Sequence, residues 1–123
     1  MQARLSAFYL DYYEAILSRR WLRLFLYASL AEEAMAQKYI ADLLSDMLEV
    51  IVREAAHEMG LAVPRSRAQM QEIGWILHGA VSHLAIRRRI YRNANPVPVE
   101  RVIPMHVRAF LVGLPALLEP LRR

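Results

Sequence analysis

The sequence has no cysteine, which removes disulfides, thiolate metal sites and a cysteine nucleophile at once. Lysine is almost as scarce: Lys38 is the only one, and every other base is arginine. Four glycines and six prolines are few enough to act as individual break points rather than as a disordered composition. Glycine-rich phosphate loops are absent, and no serine sits in a recognisable arrangement with a base and an orienting acid. Long apolar runs are missing as well. A spanning helix needs about 20 nearly uninterrupted apolar residues; the best stretches are residues 24–31 and 73–86, and the second carries His78 and His83. Asp11 and Glu14 interrupt the segment that a signal peptide would keep apolar. The expectation is a soluble, cytoplasmic, non-enzymatic chain with no cofactor, no metal and no membrane partner.

Apolar residues make up 56% of the 123 positions, enough to bury a core and too many for a disordered chain. The length suits a single domain over residues 1–123. Sixteen basic residues against twelve acidic ones leave a net charge of +4. The one dense basic cluster is Arg87, Arg88, Arg89 and Arg92. It falls at the end of an expected helix, where cations complement the negative end of the helix dipole.

Apolar spacing of three and four residues, with little strict alternation, predicts an all-α bundle of five to six helices. A first helix is expected over residues 3–18, with Leu5, Tyr9, Tyr12 and Ile16 on one stripe. Residues 21–30, Trp-Leu-Arg-Leu-Phe-Leu-Tyr-Ala-Ser-Leu, are apolar almost all round and read as a helix buried on most sides. A long helix over residues 32–59 follows, stopped by Gly60. Its inner face reads Ala36, Ile40, Leu43, Met47, Val50 or Ile51, and Ala55; Asp42, Asp46, Glu49 and Arg53 form the outer one. After a loop marked by Pro64, Ser66 with Gln69 forms a weak capping box for a helix over residues 68–91. That helix is apolar on two sides, and Gly74, Gly79 and Ala80 allow close approach of a partner. A last helical region over residues 99–121 is expected to kink or restart at Pro104 and to bend or end near Pro115.

Metal chemistry finds one fragment of a pattern. Glu54-Ala-Ala-His57 has the spacing of a di-iron ligand pair, but no second Glu-x-x-His exists. His78 and His83 fall on different faces of one helix and are poor joint ligands. A small helical-bundle metal protein or enzyme using Glu54, His57, His78 and His83 is the alternative reading. The aromatic set is more suggestive. Tyr9, Tyr12, Tyr13, Trp21, Phe25 and Trp75, with Met35 and Met47, either line a cavity or fill a solid core. His78 lies within an apolar face, as a core histidine or as a polar anchor in a greasy pocket.

Residues 21–30 followed by a long amphipathic helix, the segment 72–80 (Glu-Ile-Gly-Trp-Ile-Leu-His-Gly-Ala), the segment 86–91 (Ile-Arg-Arg-Arg-Ile-Tyr) and the ending 107–114 (Val-Arg-Ala-Phe-Leu-Val-Gly-Leu) together set a pattern. The chain resembles the C-terminal effector-binding and dimerisation domain of TetR-family transcriptional regulators. The resemblance implies a homodimer whose last two long helical regions join those of the mate in a four-helix bundle. Gly79, Ile86, Val107, Phe110, Leu111, Leu114 and Leu117 are the expected interface. It also implies a small apolar or aromatic effector, for which helix faces suggest a wall of Tyr9, Tyr13, Phe25, Met47, Trp75 and His78. The DNA-reading helix-turn-helix of that family has no counterpart here, because only one helix precedes Trp21. DNA is therefore expected as a partner only through a missing N-terminal domain, the chain being a regulatory fragment, a truncated homologue or the ordered part of a longer protein.

Overall fold

Apolar residues at helical spacing gather into five helices in the computed structural model of the chain, which describes residues 1–119. Helix α1 is Gln2–Ala15 and α2 is Arg19–Leu30. Helix α3 covers residues 34–58, as Ala34–Lys38, a π-helical stretch Tyr39–Leu44, and Ser45–Glu58. Helix α4 covers residues 67–90, as Arg67–Ala85 and a π-helical turn Ile86–Ile90. Helix α5 is Val99–Leu118. No strand occurs among the described residues, so the all-α class holds. The expected continuation to Leu121 lies outside the described residues.

Helix α4 is the centre. It packs against α3, α5 and α1, and its last turn meets α2. Its buried face is accordingly broad: Met70, Ile73, Gly74, Leu77, His78, Val81, Leu84 and Ala85. Ser66 starts it, its hydroxyl accepting from the Gln69 amide at 3.3 Å, a cap that satisfies one otherwise orphaned donor. Only one of the two glycines serves close packing. A Cβ at residue 74 would lie 2.8 Å from Leu48 Cβ and 3.0 Å from the Leu48 carbonyl oxygen, whereas one at residue 79 meets nothing within 4 Å.

The inner face of α3 differs from the sequence expectation by one residue, and the π-helical stretch explains the difference. A π turn holds one residue more than an α turn, so every side chain beyond it is carried round by about 100°. Ala36, ahead of the stretch, is buried as expected; after it the buried set is Leu44, Leu48, Val52, Ala55 and Ala56. Leu43 and Val50 point outward, 67% and 56% exposed. Glu49, expected on the outer face, turns inward and is buried. It accepts from Arg67 Nε at 2.7 Å and Arg53 Nη2 at 2.9 Å, while Arg67 also reaches Asp46 at 3.0 Å. These guanidiniums, Arg67 above all, hold the Glu49 carboxyl below the usual carboxylate range and fasten the start of α4 to α3.

Three further expectations are corrected. Helix α2 is not enclosed: Leu22 is its only buried residue, and Trp21, Leu24, Tyr27 and Leu30 are exposed. Helix α5 does not restart at Pro104 or end at Pro115 but runs continuously through both. Each proline forgoes one backbone hydrogen bond, but Ile103, Val107, Phe110, Leu114 and Leu118 bury one unbroken face, and that burial outweighs the loss. By length and composition alone this unbroken helix is long and apolar enough to cross a membrane, which no segment broken at its prolines would be. Finally, Arg89 serves α1 rather than its own helix end. Its guanidinium lies 3.9 Å from the Tyr13 ring centroid and donates to the carbonyls of Tyr13 and Leu17, with Glu14 at 3.5 Å. A cation there satisfies orphan carbonyls at the C-terminal end of α1.

Gly74→Ala is expected to destabilise the fold by about 1–3 kcal/mol, because backbone and side chain of Leu48 must both retreat. Gly79→Ala is expected to be neutral or to stabilise by up to about 1 kcal/mol through helix propensity. Urea unfolding of the two variants beside the parent checks both; equal effects would contradict the packing assigned to α3 and α4.

Candidate functional site

One polar side chain lies deep in the bundle where hydrocarbon would serve packing equally well. His78, on the inner face of α4, is 2% exposed, and its Nδ1 shares a hydrogen bond of 3.2 Å with the hydroxyl of fully buried Tyr9 on α1. Burial pushes the imidazole down to about 4, so it is neutral at physiological pH. Burial likewise raises the Tyr9 phenol well above its ordinary value. Both groups are held in their uncharged forms, as a low-dielectric site requires.

Aromatic rings surround the pair. The rings of Tyr12 and Trp75 meet the imidazole nearly edge-on, at 5.1 and 5.4 Å between centroids, and Tyr9 lies at 5.8 Å. Such edge-to-face placements suit the ring quadrupoles. Tyr12 extends the cluster outward: its hydroxyl is 3.1 Å from that of Tyr39, whose ring in turn meets Phe25 of α2 at 5.8 Å. Burial, followed by the Tyr39 contact, raises the Tyr12 phenol as well. The result is a chain of alternating hydroxyl, imidazole and ring edges from the half-buried Tyr39 to the sealed Tyr9. Tyr39 is also the first residue of the π-helical stretch, a local geometry that recurs at functional sites.

Of the expected effector wall, the structure joins Tyr9, Trp75 and His78 directly and Phe25 through Tyr39. Tyr13 is placed apart, buried beneath Arg89. Met47 is placed outside as well, in an open groove between α1 and α3 with Leu5, Phe8, Val50 and Ile51, because the π turn rotates it away. Tyr12 and Tyr39 were missed as wall residues. Tyr12 stands in the aromatic set that suits a cavity or a core but not among the six wall residues, and Tyr39 carries no signal until the π-helical stretch is known. Phe8, edge-on to Tyr9 at 5.0 Å, backs the cluster from the groove side.

The expected interface residues divide in two. Val107, Phe110 and Leu114 lie in the chain's own core, 0%, 4% and 0% exposed, and are unavailable to a partner; helix periodicity alone does not tell an inner apolar face from an outer one. Gly79, Ile86 and Leu111 are half-buried and Leu117 is exposed. For the metal alternative, Glu54 and His57 are exposed on α3 while His78 is committed to Tyr9. Among the described residues no three His, Asp or Glu side chains gather where a metal ion would sit. Comparison of the chain with protein-family models, with curated proteins and with solved structures finds no match.

Tyr9→Phe leaves the buried His78 Nδ1 without its partner and is expected to cost about 1–2 kcal/mol, whereas Tyr9→Phe with His78→Leu recovers most of that loss. Unfolding of the four members of this cycle measures the coupling. Acid dependence is a second signature. Between pH 6.5 and about 4 the unfolded chain takes up a proton that folded His78 refuses, so stability is highest above that window and falls by up to about 3 kcal/mol as pH drops through it. His78→Leu is expected to flatten that slope; an unchanged slope would assign the acid sensitivity elsewhere.

Proposed function

We infer that the chain is an effector-sensing and dimerisation module of a TetR-like transcriptional regulator, non-catalytic and cytoplasmic, which takes a small aromatic or apolar compound in the cluster around His78. The observation that carries this reading is the buried His78–Tyr9 pair. A core built for stability alone gains little from an imidazole and a phenol there, whereas a ligand site needs an apolar wall with one or two polar anchors. Tyr9 and His78 are 0% and 2% exposed, so a guest reaches them by displacing a ring. Tyr39 is the ring to move, being half-buried, at the outer end of the cluster, and joined to it by the Tyr12 hydroxyl and the Phe25 ring. Its displacement at the π-helical stretch shifts the start of α3 and the adjoining α2. A guest that binds this displaced arrangement better than the closed one converts binding into conformational change.

Dimerisation is assigned to the outer face of α5. Met105, Ala109, Val112 and Ala116 repeat along it at helical spacing, with Met105 64% and Val112 73% exposed. Arg101 and Glu119 flank this stripe on one side at its two ends. An antiparallel second copy therefore sets each Arg101 beside the Glu119 of its mate, as an isologous two-fold contact requires. Gly79, Ile86, Leu111 and Leu117 are left to extend the contact. DNA reading belongs to a helix-turn-helix domain supplied from outside residues 1–123.

In a Trp21→Phe background, Trp75 is the only indole. Titration with 1-naphthol is expected to change its emission saturably, and His78→Leu to weaken binding about tenfold, the worth of one lost polar anchor. Absence of any saturable response, or full affinity in His78→Leu, would refute the effector site. For the dimer, Met105→Glu with Val112→Glu is expected to yield a folded monomer in sedimentation, while Phe110→Glu unfolds the chain. A dimer that survives the double change would place the contact elsewhere.

A further inference from the structure

We propose that the outer face of α2 is a docking surface for an anionic lipid bilayer, a contact beyond the sensing role and contrary to the sequence expectation of no membrane partner. The helix has no acidic residue and presents Arg19, Arg20 and Arg23 to solvent together with Leu24 and Tyr27 along one shallow groove. None of these arginines has an ion-pair partner among the described residues. Trp21 is 59%, Tyr27 65% and Leu30 82% exposed, whereas a helix serving only its own core turns its polar side outward. Tyr91 and Arg92, which follow the end of α4 that packs on α2, are exposed as well.

Cationic and apolar side chains mixed on one unpartnered face suit a particular kind of occupant. A nucleic-acid backbone pairs with the arginines but offers nothing to Leu24 and Leu30. A second copy related by a two-fold axis sets Arg19, Arg20 and Arg23 against their own images, which like charge opposes. A bilayer of anionic lipids meets both halves. Leucines enter the acyl boundary, Trp21 and Tyr27 sit at headgroup level, and the arginine stems reach outward so that the guanidiniums meet phosphate and carboxylate.

The test is flotation of the full chain with phosphatidylcholine vesicles, with and without about 30% phosphatidylserine. Binding is expected to be at least about tenfold tighter to the anionic vesicles and to fall sharply when salt is raised to about 0.5 M. Arg19→Gln with Arg20→Gln and Arg23→Gln abolishes the lipid preference, and Leu24→Ser with Leu30→Ser abolishes binding. Circular dichroism of both variants stays at the parent level, because every altered side chain is exposed; Arg53→Gln, on α3, binds as the parent does. Failure to bind, equal binding to neutral vesicles, or parent-level binding by either α2 variant overturns the proposal. So does binding of duplex DNA in place of vesicles, or a dimer that is lost in Leu24→Ser with Leu30→Ser.

Discussion

The backbone of α4 passes so close to Leu48 of α3 that residue 74 has room for no side chain. The other helices are arranged around that contact. With α3 drawn in on one side, α4 still has apolar surface left for α1 and α5, and its broad inner face gives all three a wall to pack on. Leu77, Val81 and Leu84 on that wall are at most 1% exposed, so each loses nearly all its water contact, worth about 1.5–3 kcal/mol per large side chain. The ion pairs of Arg67 with Glu49 and Asp46 lie at the start of the same helix pair. The Arg67–Asp46 pair is exposed on both sides and contributes little, while the Arg67–Glu49 pair gives the buried carboxylate its partner.

His78 belongs to that wall, one position from Leu77, and its placement makes the site depend on the packing. Fixing α4 against α1 brings the imidazole onto the Tyr9 hydroxyl, and the rings of Tyr12 and Trp75 close the remaining sides. The Tyr9 hydroxyl and His78 Nδ1 satisfy each other at the inner end, and the Tyr12 and Tyr39 hydroxyls do so farther out. The outer end of the cluster is built differently. Tyr39 and Phe25 come from α3 and α2, the part of the fold with the fewest buried residues. A buried inner pair and an outer ring on sparsely buried helices are the arrangement that the proposed site needs in order to open without unfolding.

Much of this was legible from residue order. The helical class, the Ser66 cap and the buried placement of His78 all follow from periodicity and side-chain chemistry. Elsewhere the same rules were misled for physical reasons. The face of α3 was read one residue out after Ile40, because the π turn leaves no mark in composition. Helix α2 was read as enclosed because its apolar content is high, although hydrophobicity does not say whether the covering surface belongs to the same chain. Phe110 was assigned to a partner for the converse reason: α5 has two apolar faces, and the stronger one turned inward. Pro104 and Pro115 suit either a bend or a break by the same rules, and a continuous buried face keeps the helix unbroken across both.

The central claim is a paired module that admits an aromatic guest beside His78, and native mass spectrometry with 1-naphthol added tests both halves in one spectrum. The account predicts a dimer that gains one guest per chain and carries no metal. A monomer, or a dimer to which no guest adds, would contradict it.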